Sequence, residues 1–187
     1  MDAIIAGVDE AGRGPLAGPV CAAAVILHNV KIEGLNDSKK LTERKRELLF
    51  EQIIKNATAS AIAWATPEEI DRINILQATF LAMQRAVEQL QIEPTFIQVD
   101  GNRYPPTMRL PGEAIVKGDS KVEEIMAASI LAKVSRDRYM LKMAEIYPQY
   151  NFTKHKGYPT AEHREAIKQF GASPIHRKTF GGVKEFL

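Results

Sequence analysis

The 187-residue sequence predicts an α/β protein, in which helices cover both faces of a mixed sheet of five strands. Three apolar, strand-like runs come first, and helix and strand patterns then alternate toward the C-terminus, an order typical of this class. With 45% hydrophobic and 26% charged residues, the composition is that of a globular protein. A chain of this length can bury a substantial core, so we expect residues 1–187 to form a single domain.

The first half of the chain supplies three strands and one helix. Apolar runs predict strands over residues 3–9, 20–28 and 59–65, and a helix is predicted over residues 42–55. The segment Thr66-Pro67-Glu68-Glu69 then has the pattern of a helix start. The Thr66 side chain can accept from the amide of Glu69, and the Glu69 side chain can accept from the amide of Thr66. These features place a helix directly after the third strand.

A long helix is expected to follow this start. Its apolar face is formed by residues at alternating spacings of four and three: Leu76, Phe80, Met83, Val87 and Leu90. Pro94 ends it, and residues 95–100 form the fourth strand. A short fifth strand is predicted over residues 114–117.

The last third of the chain is predicted to be mainly helical. Ser120-Lys121-Val122-Glu123 has the pattern of a second capping box and should open a helix that runs to about residue 143. Small residues on this helix permit close approach to the sheet: Ala127, Ala128, Ser129 and Ala132. After Pro148 we expect a loop, a helix over residues 160–169 and an irregular basic tail.

Several classes of protein are disfavoured by simple counts. No apolar stretch approaches the roughly 20 residues that a membrane span needs. Met1-Asp2-Ala3 places no basic region before the first apolar run, so we expect no secretory signal and a cytoplasmic location. The single cysteine, Cys21, lies in an apolar run and is read as a core residue rather than a nucleophile.

The net charge of +2 is small, but the basic residues are clustered. Residues 154–187 contain seven Lys or Arg and three Glu, and a second cluster spans residues 39–46. Either cluster alone is most simply a solvated helix face. Beside an acidic site, however, such clusters could bind a polyanion that the acids would otherwise repel.

Carboxylates at strand ends are the main candidates for chemistry. Asp9 and Glu10 end the first strand and Asp100 ends the fourth, where functional groups of mixed sheets gather. Asp100 precedes Gly101, so a turn-forming role and a ligand role are both open. Asp137, between two arginines, is read as a structural ion-pair partner, with a place beside the site as the alternative.

A fourth candidate, Asp119, comes just before the predicted capping box. Its simplest role is a helix cap, but Ser120 and Glu123 already fill that role, which favours a ligand role for Asp119. Clustered carboxylates without Cys or paired His favour Mg²⁺ or Mn²⁺ over zinc. A hard divalent ion beside these acids would assist phosphodiester hydrolysis, and without it the acids should take up protons unusually easily.

A glycine-rich loop follows the first acids. The run from Gly7 to Gly14 resembles the frame of a nucleotide-binding P-loop, but that motif needs Lys and Ser or Thr where Arg13 and Gly14 stand. A Gly-Arg-Gly loop instead permits close backbone approach to a phosphate, which the arginine can grip. Tyr158, in a basic loop, is either a packing residue or a group that stacks on a sugar or base.

These segments together resemble the bacterial ribonuclease HII family. The matching blocks, in order along the chain, are Asp9-Glu10-Ala11-Gly12-Arg13-Gly14-Pro15-Leu16-Ala17-Gly18-Pro19-Val20, Asn36-Asp37-Ser38-Lys39-Lys40-Leu41, Val99-Asp100-Gly101-Asn102, Lys117-Gly118-Asp119-Ser120, Ala127-Ala128-Ser129-Ile130-Leu131-Ala132-Lys133-Val134 and His155-Lys156-Gly157-Tyr158. Six blocks in this order cover nearly the whole chain. The resemblance implies a ribonuclease H-like fold with a short C-terminal helical segment at about residues 148–187 that binds substrate.

The resemblance also implies an activity. It implies a metal-dependent endonuclease that cuts the RNA strand of RNA–DNA hybrids and cuts 5′ of single ribonucleotides in duplex DNA. The products would carry 3′-hydroxyl and 5′-phosphate ends, and the cellular roles would be ribonucleotide excision, a DNA repair process, and hybrid removal. We expect two Mg²⁺ or Mn²⁺ ions per site with substrate, and a monomer that has no membrane partner.

Site roles are carried over position by position. The implied metal-binding and catalytic acids are Asp9, Glu10, Asp100 and Asp119. The loop implied to sense the 2′-hydroxyl at the RNA–DNA junction is Gly12, Arg13 and Gly14. Tyr158 is implied to pack at that junction, and Lys39 to contact a phosphate.

Two other classes of function are weighed against this hypothesis. A non-catalytic hybrid-binding protein would keep the basic clusters and Tyr158, but it has no need of four converging acids. A different metal nuclease, one that acts on DNA junctions or flaps, would have no reason to place Gly12-Arg13-Gly14 directly after the first acids. Both are therefore less favoured than a metal-dependent endoribonuclease.

Overall fold

The computed structural model describes residues 2–187. Met1, which belongs to the N-terminal stretch where we expect no secretory signal, lies outside the described residues. Five strands form one sheet in the order β3-β2-β1-β4-β5. The strands are β1 (Ile5–Ala11), β2 (Val20–Ile26), β3 (Ala59–Ala65), β4 (Phe96–Asp100) and β5 (Gly112–Ile115). The first three pair antiparallel, while β4 lies parallel to both β1 and β5. The predicted mixed five-stranded sheet is confirmed.

Six α-helices accompany the sheet within residues 2–187. They are α1 (Glu43–Asn56), α2 (Pro67–Ile73), α3 (Ile75–Glu88), α4 (Glu123–Ile146), α5 (Phe152–His155) and α6 (Ala161–Phe170). The short α5 was not predicted, and none of the described helices is both long and apolar enough to cross a membrane. The chain passes from β1 through a loop to β2, without the helix that a P-loop requires.

Both faces of the sheet are buried by helices. One core joins Val8 and Val20 to Phe80 and Met83 of α3. The other joins alternate β2 residues, including the buried Cys21, to α1 and α4. Because successive strand residues point to opposite faces, β2 is apolar throughout. The core position predicted for Cys21 is confirmed.

A third cluster attaches the C-terminal segment to the rest of the chain. Tyr150, Phe152 and Ile167 pack with Met140 of α4 and with Leu16, from the loop after β1. The C-terminal segment is thereby held against the loop that follows the first two acids.

The prediction of one long helix after Thr66 is wrong. The capping box itself is present, since Thr66 and Glu69 exchange hydrogen bonds of 3.0 and 3.1 Å. Asn74, however, has φ +75°, which ends α2, and its side chain then caps α3 by accepting from the amide of Gln77. Asn adopts positive φ more often than most residues do. The apolar period continues across this break.

The second predicted capping box is also wrong. Ser120 ends a short 3₁₀ turn, Gly118–Ser120, and its hydroxyl donates to the carbonyl of Lys117 instead of capping a helix. Helix α4 begins at Glu123 after Val122, which makes no side-chain cap. The helix also extends three residues beyond the predicted end at residue 143.

Candidate active site

Three of the four predicted acids converge at one edge of the sheet. Val8 lies opposite Val99 in the parallel β1–β4 pair, which brings the next residues, Asp9 and Asp100, side by side. Asp119 arrives from the 3₁₀ turn, where its amide donates to Oδ1 of Asp100 at 3.1 Å. One oxygen from each of these aspartates lies within 4.8 Å of the others, close enough for the three to share a cation.

The fourth acid, Glu10, is not part of this group of three. As the next strand residue, it leaves the strand on the face opposite to Asp9, yet its carboxylate lies close enough to that of Asp9 for the two to interact. It nevertheless lines the same cavity as the aspartates, and also a second cavity of about 290 Å³ between β4 and α3. Its Oε2 atom is buried and has no hydrogen-bond partner among residues 2–187. Such an orphaned acceptor needs a partner from outside the chain.

Asp9, Glu10 and Asp119 are held in an environment that opposes their ionisation. Asp9 is only 4% exposed and Asp119 only 6% exposed. Burial, followed by the charges of Glu10 and Asp100, raises the pKa of Asp9 well above its usual range. Burial also raises the pKa of Glu10, and burial together with Asp100 raises the pKa of Asp119. The predicted ease of protonation is therefore present.

The residues fit a hard divalent cation. All the donor atoms are carboxylate oxygens, the ligands that Mg²⁺ and Mn²⁺ prefer. A bound cation would give the unpartnered oxygen of Glu10 a partner. It would also offset the repulsion among the three closely spaced aspartates. No cysteine or histidine lies among the groups that could hold it within the described chain.

The Gly-Arg-Gly loop and Tyr158 adjoin the acids. Arg13, Gly14 and Tyr158 line the same cavity of about 380 Å³ as Asp9 and Asp119. A Cβ atom added to Gly14 would lie 3.7 Å from the Tyr158 ring, so the loop and the tyrosine are neighbours. The Tyr158 side chain is partly exposed and is available to a ligand.

Lys39 also lies at this cavity. Its Nζ is 3.7 Å from Oδ2 of Asp119, although the lysine side chain is 81% exposed. Four other lining residues were given no role in the site from the sequence: Ser38, Arg46, Ser129 and Lys133. The hydroxyls of Ser38 and Ser129 are 2.7 Å apart, which ties the 3₁₀ turn Ser38–Lys40 to α4. The sequence does contain a signal for Lys133, because its four-residue spacing from Ser129 on α4 places both residues on the same helix face.

The basic clusters contain residues that do not act as surface charges. Arg46 donates to the carbonyls of Ser38 and Leu41, and Arg177, in the C-terminal tail, is fully buried. Asp137 is an ion-pair partner as expected, but its partner is Lys133, at 3.2 Å, rather than a neighbouring arginine.

The fold and this cluster define a class of protein, in which an α/β sheet carries carboxylates that can bind a metal beside a loop suited to a phosphate. Comparison with known proteins then identifies the family. The family model for Ribonuclease HII matches residues 6–183, and the chain belongs to this family. It is therefore an endonuclease of the ribonuclease H type, rather than a non-catalytic binding protein.

Individual relatives agree over nearly the whole chain. A Ribonuclease HII from Marinomonas sp. is 60% identical over 98% of this chain and 93% of its own length. One from Chromobacterium violaceum is 58% identical over the same shares. The crystal structure of the ribonuclease H2 from Pyrococcus horikoshii superposes with a TM-score of 0.81 at 33% identity, and covers 97% of this chain and 96% of its own. The expected ribonuclease H-like fold is confirmed.

A further solved structure is a complex. It is the PCNA:RNase HII complex from Archaeoglobus fulgidus. That chain superposes with a TM-score of 0.79 at 27% identity, over 95% of both chains.

Proposed function

We propose that this chain is a metal-dependent endoribonuclease that cuts the RNA strand of RNA–DNA hybrids and also cuts 5′ of a single ribonucleotide in duplex DNA. The products would carry 3′-hydroxyl and 5′-phosphate ends. The observation that carries this proposal is the shared cavity, in which three converging aspartates lie beside the Gly-Arg-Gly loop and Tyr158. Acids that can hold a cation lie next to groups that can hold a sugar and a phosphate.

The four acids, Asp9, Glu10, Asp100 and Asp119, are proposed to hold Mg²⁺ or Mn²⁺, with two ions when substrate is bound. A divalent ion there would supply a water of lowered pKa and offset negative charge at the phosphorus. The burial of Asp9 and Asp119 fixes their carboxylates in position and limits competition from bulk water.

The loop residues Gly12, Arg13 and Gly14, together with Tyr158, are proposed to recognise the RNA–DNA junction. Only the 2′-hydroxyl distinguishes RNA from DNA at a given site, and backbone amides and carbonyls can bond that hydroxyl. The Tyr158 ring offers a face for a sugar or base, and its hydroxyl can reach the backbone of the nucleic acid.

Lys39 and the basic segments are proposed to bind phosphates without sequence preference. The exposed Lys39 ammonium can approach a phosphate near Asp119. Residues 39–46 and the segment 148–187 would add affinity through their exposed basic residues, so binding should weaken with salt. The cellular roles proposed are ribonucleotide excision and hybrid removal, carried out by a monomer in the cytoplasm.

A panel of labelled duplexes tests this proposal. The panel contains a uniform RNA–DNA hybrid, a DNA duplex with one ribonucleotide and an all-DNA duplex, each incubated with Mg²⁺, Mn²⁺ or EDTA. We expect cleavage of the first two substrates with either metal, and no cleavage in EDTA. Equal cleavage of the all-DNA duplex would instead indicate a nuclease for DNA structures, and cleavage in EDTA would refute the metal role.

A further inference from the structure

Two arginines are buried without an acidic partner. Arg136 of α4 is 1% exposed and Arg177 is fully buried. Among residues 2–187, neither forms a salt bridge with a carboxylate. Placing an unpaired guanidinium in the interior is costly, because the charge loses its hydration. Burial and the charge of Arg136 lower the pKa of Arg177 to about 9, which still leaves it charged at neutral pH.

Backbone carbonyls take the place of the missing acids. Arg177 donates to four of them in the loop after β1, at distances of 2.5 to 3.0 Å. These acceptors are the carbonyl oxygens of Gly12, Arg13, Pro15 and Gly18. Since the guanidinium is rigid and planar, a single side chain fixes four peptide groups of this loop.

Arg136 supports the same loop from the side of α4. It donates to the carbonyls of Ala17, Pro19 and Lys156 at 2.8, 2.9 and 2.8 Å. It also fills the space beside Gly12, where an added Cβ atom would lie 2.1 Å from Nε of Arg136. Gly12 has φ +95°, so both its conformation and its surroundings exclude a side chain.

The carbonyl directions determine the amide directions. In a trans peptide, the C=O of one residue and the N–H of the next point in opposite directions. The carbonyls of Gly12 and Arg13 point toward Arg177, so the N–H groups of Arg13 and Gly14 point away from it. Neither N–H has a hydrogen-bond partner among residues 2–187.

Two other amides of this loop are used inside the protein. The N–H of Leu16 donates to the carbonyl of Gly157 at 2.8 Å, and the N–H of Gly18 donates to that of Ile175 at 2.8 Å. Residue 15 is a proline and has no N–H to offer. The amides of Arg13 and Gly14 are adjacent in the chain, and both residues line the acidic cavity.

We propose that Arg177 is a positioning residue for ribonucleotide recognition: it holds the Gly12–Pro15 backbone so that the N–H groups of Arg13 and Gly14 face the ribose of the strand to be cut. Arg177 does not itself touch substrate, because it is fully buried behind the loop. This inference rests on the proposed function, since it assigns a cause to the preference for ribonucleotides.

Metal-free binding measures this role separately from catalysis. Fluorescence anisotropy in EDTA would give the Kd for two labelled DNA duplexes that differ by a single 2′-hydroxyl. We expect wild type to prefer the ribonucleotide duplex, and Arg177→Lys to lower that preference by roughly tenfold, the loss expected for two hydrogen bonds. Affinity for the all-DNA duplex should change little, because the surface charges remain.

Arg85→Lys is a matched control. Arg85 also joins distant elements, through the carbonyl of Trp64 and the carboxylate of Glu69, but it lies outside the cavity. It should therefore leave the duplex preference at the wild-type value. If folded Arg177→Lys keeps that value, or weakens both duplexes equally, the positioning role is refuted.

The wild-type chain supplies a second test that does not depend on the variant folding. The ¹⁵N-labelled protein should show larger amide shifts for Arg13 and Gly14 with the ribonucleotide duplex than with the all-DNA duplex. Equal or absent shifts overturn the proposal. If wild type cleaves neither ribonucleotide substrate, the proposed function itself fails, whereas cleavage with an unchanged preference in Arg177→Lys refutes only the role of Arg177.

Discussion

At the scale of single residues, the buried carboxylates put function and stability in conflict. Asp9 is almost fully buried beside two other acids, so its ionised form is disfavoured in the metal-free protein. Active sites commonly keep such strained groups because the bound ligand compensates for them. The same feature makes the metal-free protein sensitive to the charge at position 9.

Asp9→Asn should abolish cleavage and stabilise the metal-free protein. Loss of a metal ligand removes several kcal/mol of transition-state stabilisation, so the rate should fall by roughly a thousandfold or more. The folded-state pKa of Asp9 lies above the unfolded value, so its contribution to stability is present at low pH and lost as pH rises through the folded pKa. The variant should therefore have a higher free energy of unfolding than wild type at pH 7.5 in EDTA, as measured by denaturant unfolding.

Asp137→Asn is the control for this prediction, because Asp137 pairs with Lys133 outside the group of three aspartates. It should keep most of the activity and gain no stability in EDTA. A cleavage rate for Asp9→Asn within about tenfold of wild type, the effect of only about 1.4 kcal/mol, would remove Asp9 from the metal site.

Substitutions in the Gly-Arg-Gly loop and at Tyr158 should have smaller effects than the loss of an acid. Tyr158→Ala and Arg13→Ala should each lower kcat/KM on a single-ribonucleotide duplex by about tenfold to a hundredfold, the scale of one lost stacking contact or charged hydrogen bond. Tyr158→Phe separates the ring from the hydroxyl. Tyr139→Phe is a control, since Tyr139 packs against Trp64 outside the cavity. Unchanged kinetics for both alanine variants would refute these assignments.

Asp9, Glu10 and Asp100 could be proposed from the sequence because strand ends are readable as local patterns. The local argument for Asp119 relied on a capping box that the structure does not contain, so its proposal depended on the motif blocks. The roles of Arg136 and Arg177 could not be proposed from the sequence. Arg177 lies in a basic tail, and a count of charges treats it as surface charge, whereas in the structure it is buried among carbonyls from residues more than a hundred positions away. Only the tertiary structure reveals such contacts.

At the scale of elements, α4 crosses β1 in close contact. A Cβ atom added to Gly7 would lie 2.3 Å from the backbone carbon of Glu124. This contact places the start of α4, and the 3₁₀ turn that carries Asp119, above the strand that carries Asp9. The glycine therefore helps to bring two of the acids together.

Gly7→Ala should destabilise the protein by roughly 3 kcal/mol or more, because the obstacle is helix backbone rather than a movable side chain. Chemical denaturation measures this loss. Gly181→Ala is a matched control, since its nearest atom would be 3.9 Å away and its φ is not positive. Equal stability of Gly7→Ala and wild type would contradict the close packing of α4 on β1.

Element boundaries were predicted least well where one residue overrides a regular pattern. The break at Asn74 leaves the apolar spacing of α3 intact, so periodicity gives no sign of it. The motif at Ser120 has the residues of a capping box, but the chain makes a 3₁₀ turn there, and the amide of Asp119 bonds Asp100. Tertiary contacts outweighed local preference in this segment.

At the scale of the whole molecule, a buried histidine cluster inside the C-terminal segment links the tail after α6 to the loop that carries Tyr158. His176 accepts from the amide of Ser173 at Nδ1, so its Nε2 donates to Nε2 of His163 at 2.9 Å. Nδ1 of His163 then donates to the carbonyl of Tyr158 at 2.9 Å. The two bonds that a ring nitrogen accepts, at Nδ1 of His176 and at Nε2 of His163, require both rings to be neutral. His155 stacks on His163 with 4.4 Å between ring centroids.

Acid should therefore weaken the fold. Burial lowers the pKa of His163 to about 4 and that of His176 to about 3, against an ordinary value of 6.5. Because the folded-state pKa values are lowered, this stability is present above pH 6.5 and is lost as pH falls toward 4. For His163 alone, the loss at pH 4 is on the order of 3 kcal/mol.

Denaturant unfolding between about pH 7.5 and 4 checks this prediction. The measurement uses an Asp9→Asn background, because the buried acids change the stability with pH in the opposite direction and this substitution removes much of their effect. His28→Gln is the control, because His28 is exposed and lies outside the cluster. The control should retain the acid-induced loss of stability. A free energy of unfolding that stays constant from pH 6.5 to 4 would contradict a neutral cluster.

The overall architecture could be predicted largely from the order of apolar runs and helix patterns, and six motif blocks indicated the family. The packing of Tyr150 and Phe152 around buried histidines in residues 148–187 could not be predicted, because the sequence indicated only a loop, one helix and an irregular basic tail there. Long-range packing in that segment has no local sequence period.

The most direct test of the central claim is the position of the cut. An end-labelled DNA duplex with a single ribonucleotide, incubated with Mg²⁺, should give one cut on the 5′ side of that ribonucleotide. The upstream product should be extendable by a polymerase, as a free 3′-hydroxyl requires, and the downstream product should carry a 5′-phosphate. A cut at any other position, or a blocked 3′ end, would contradict recognition of the ribonucleotide by the loop beside the four acids.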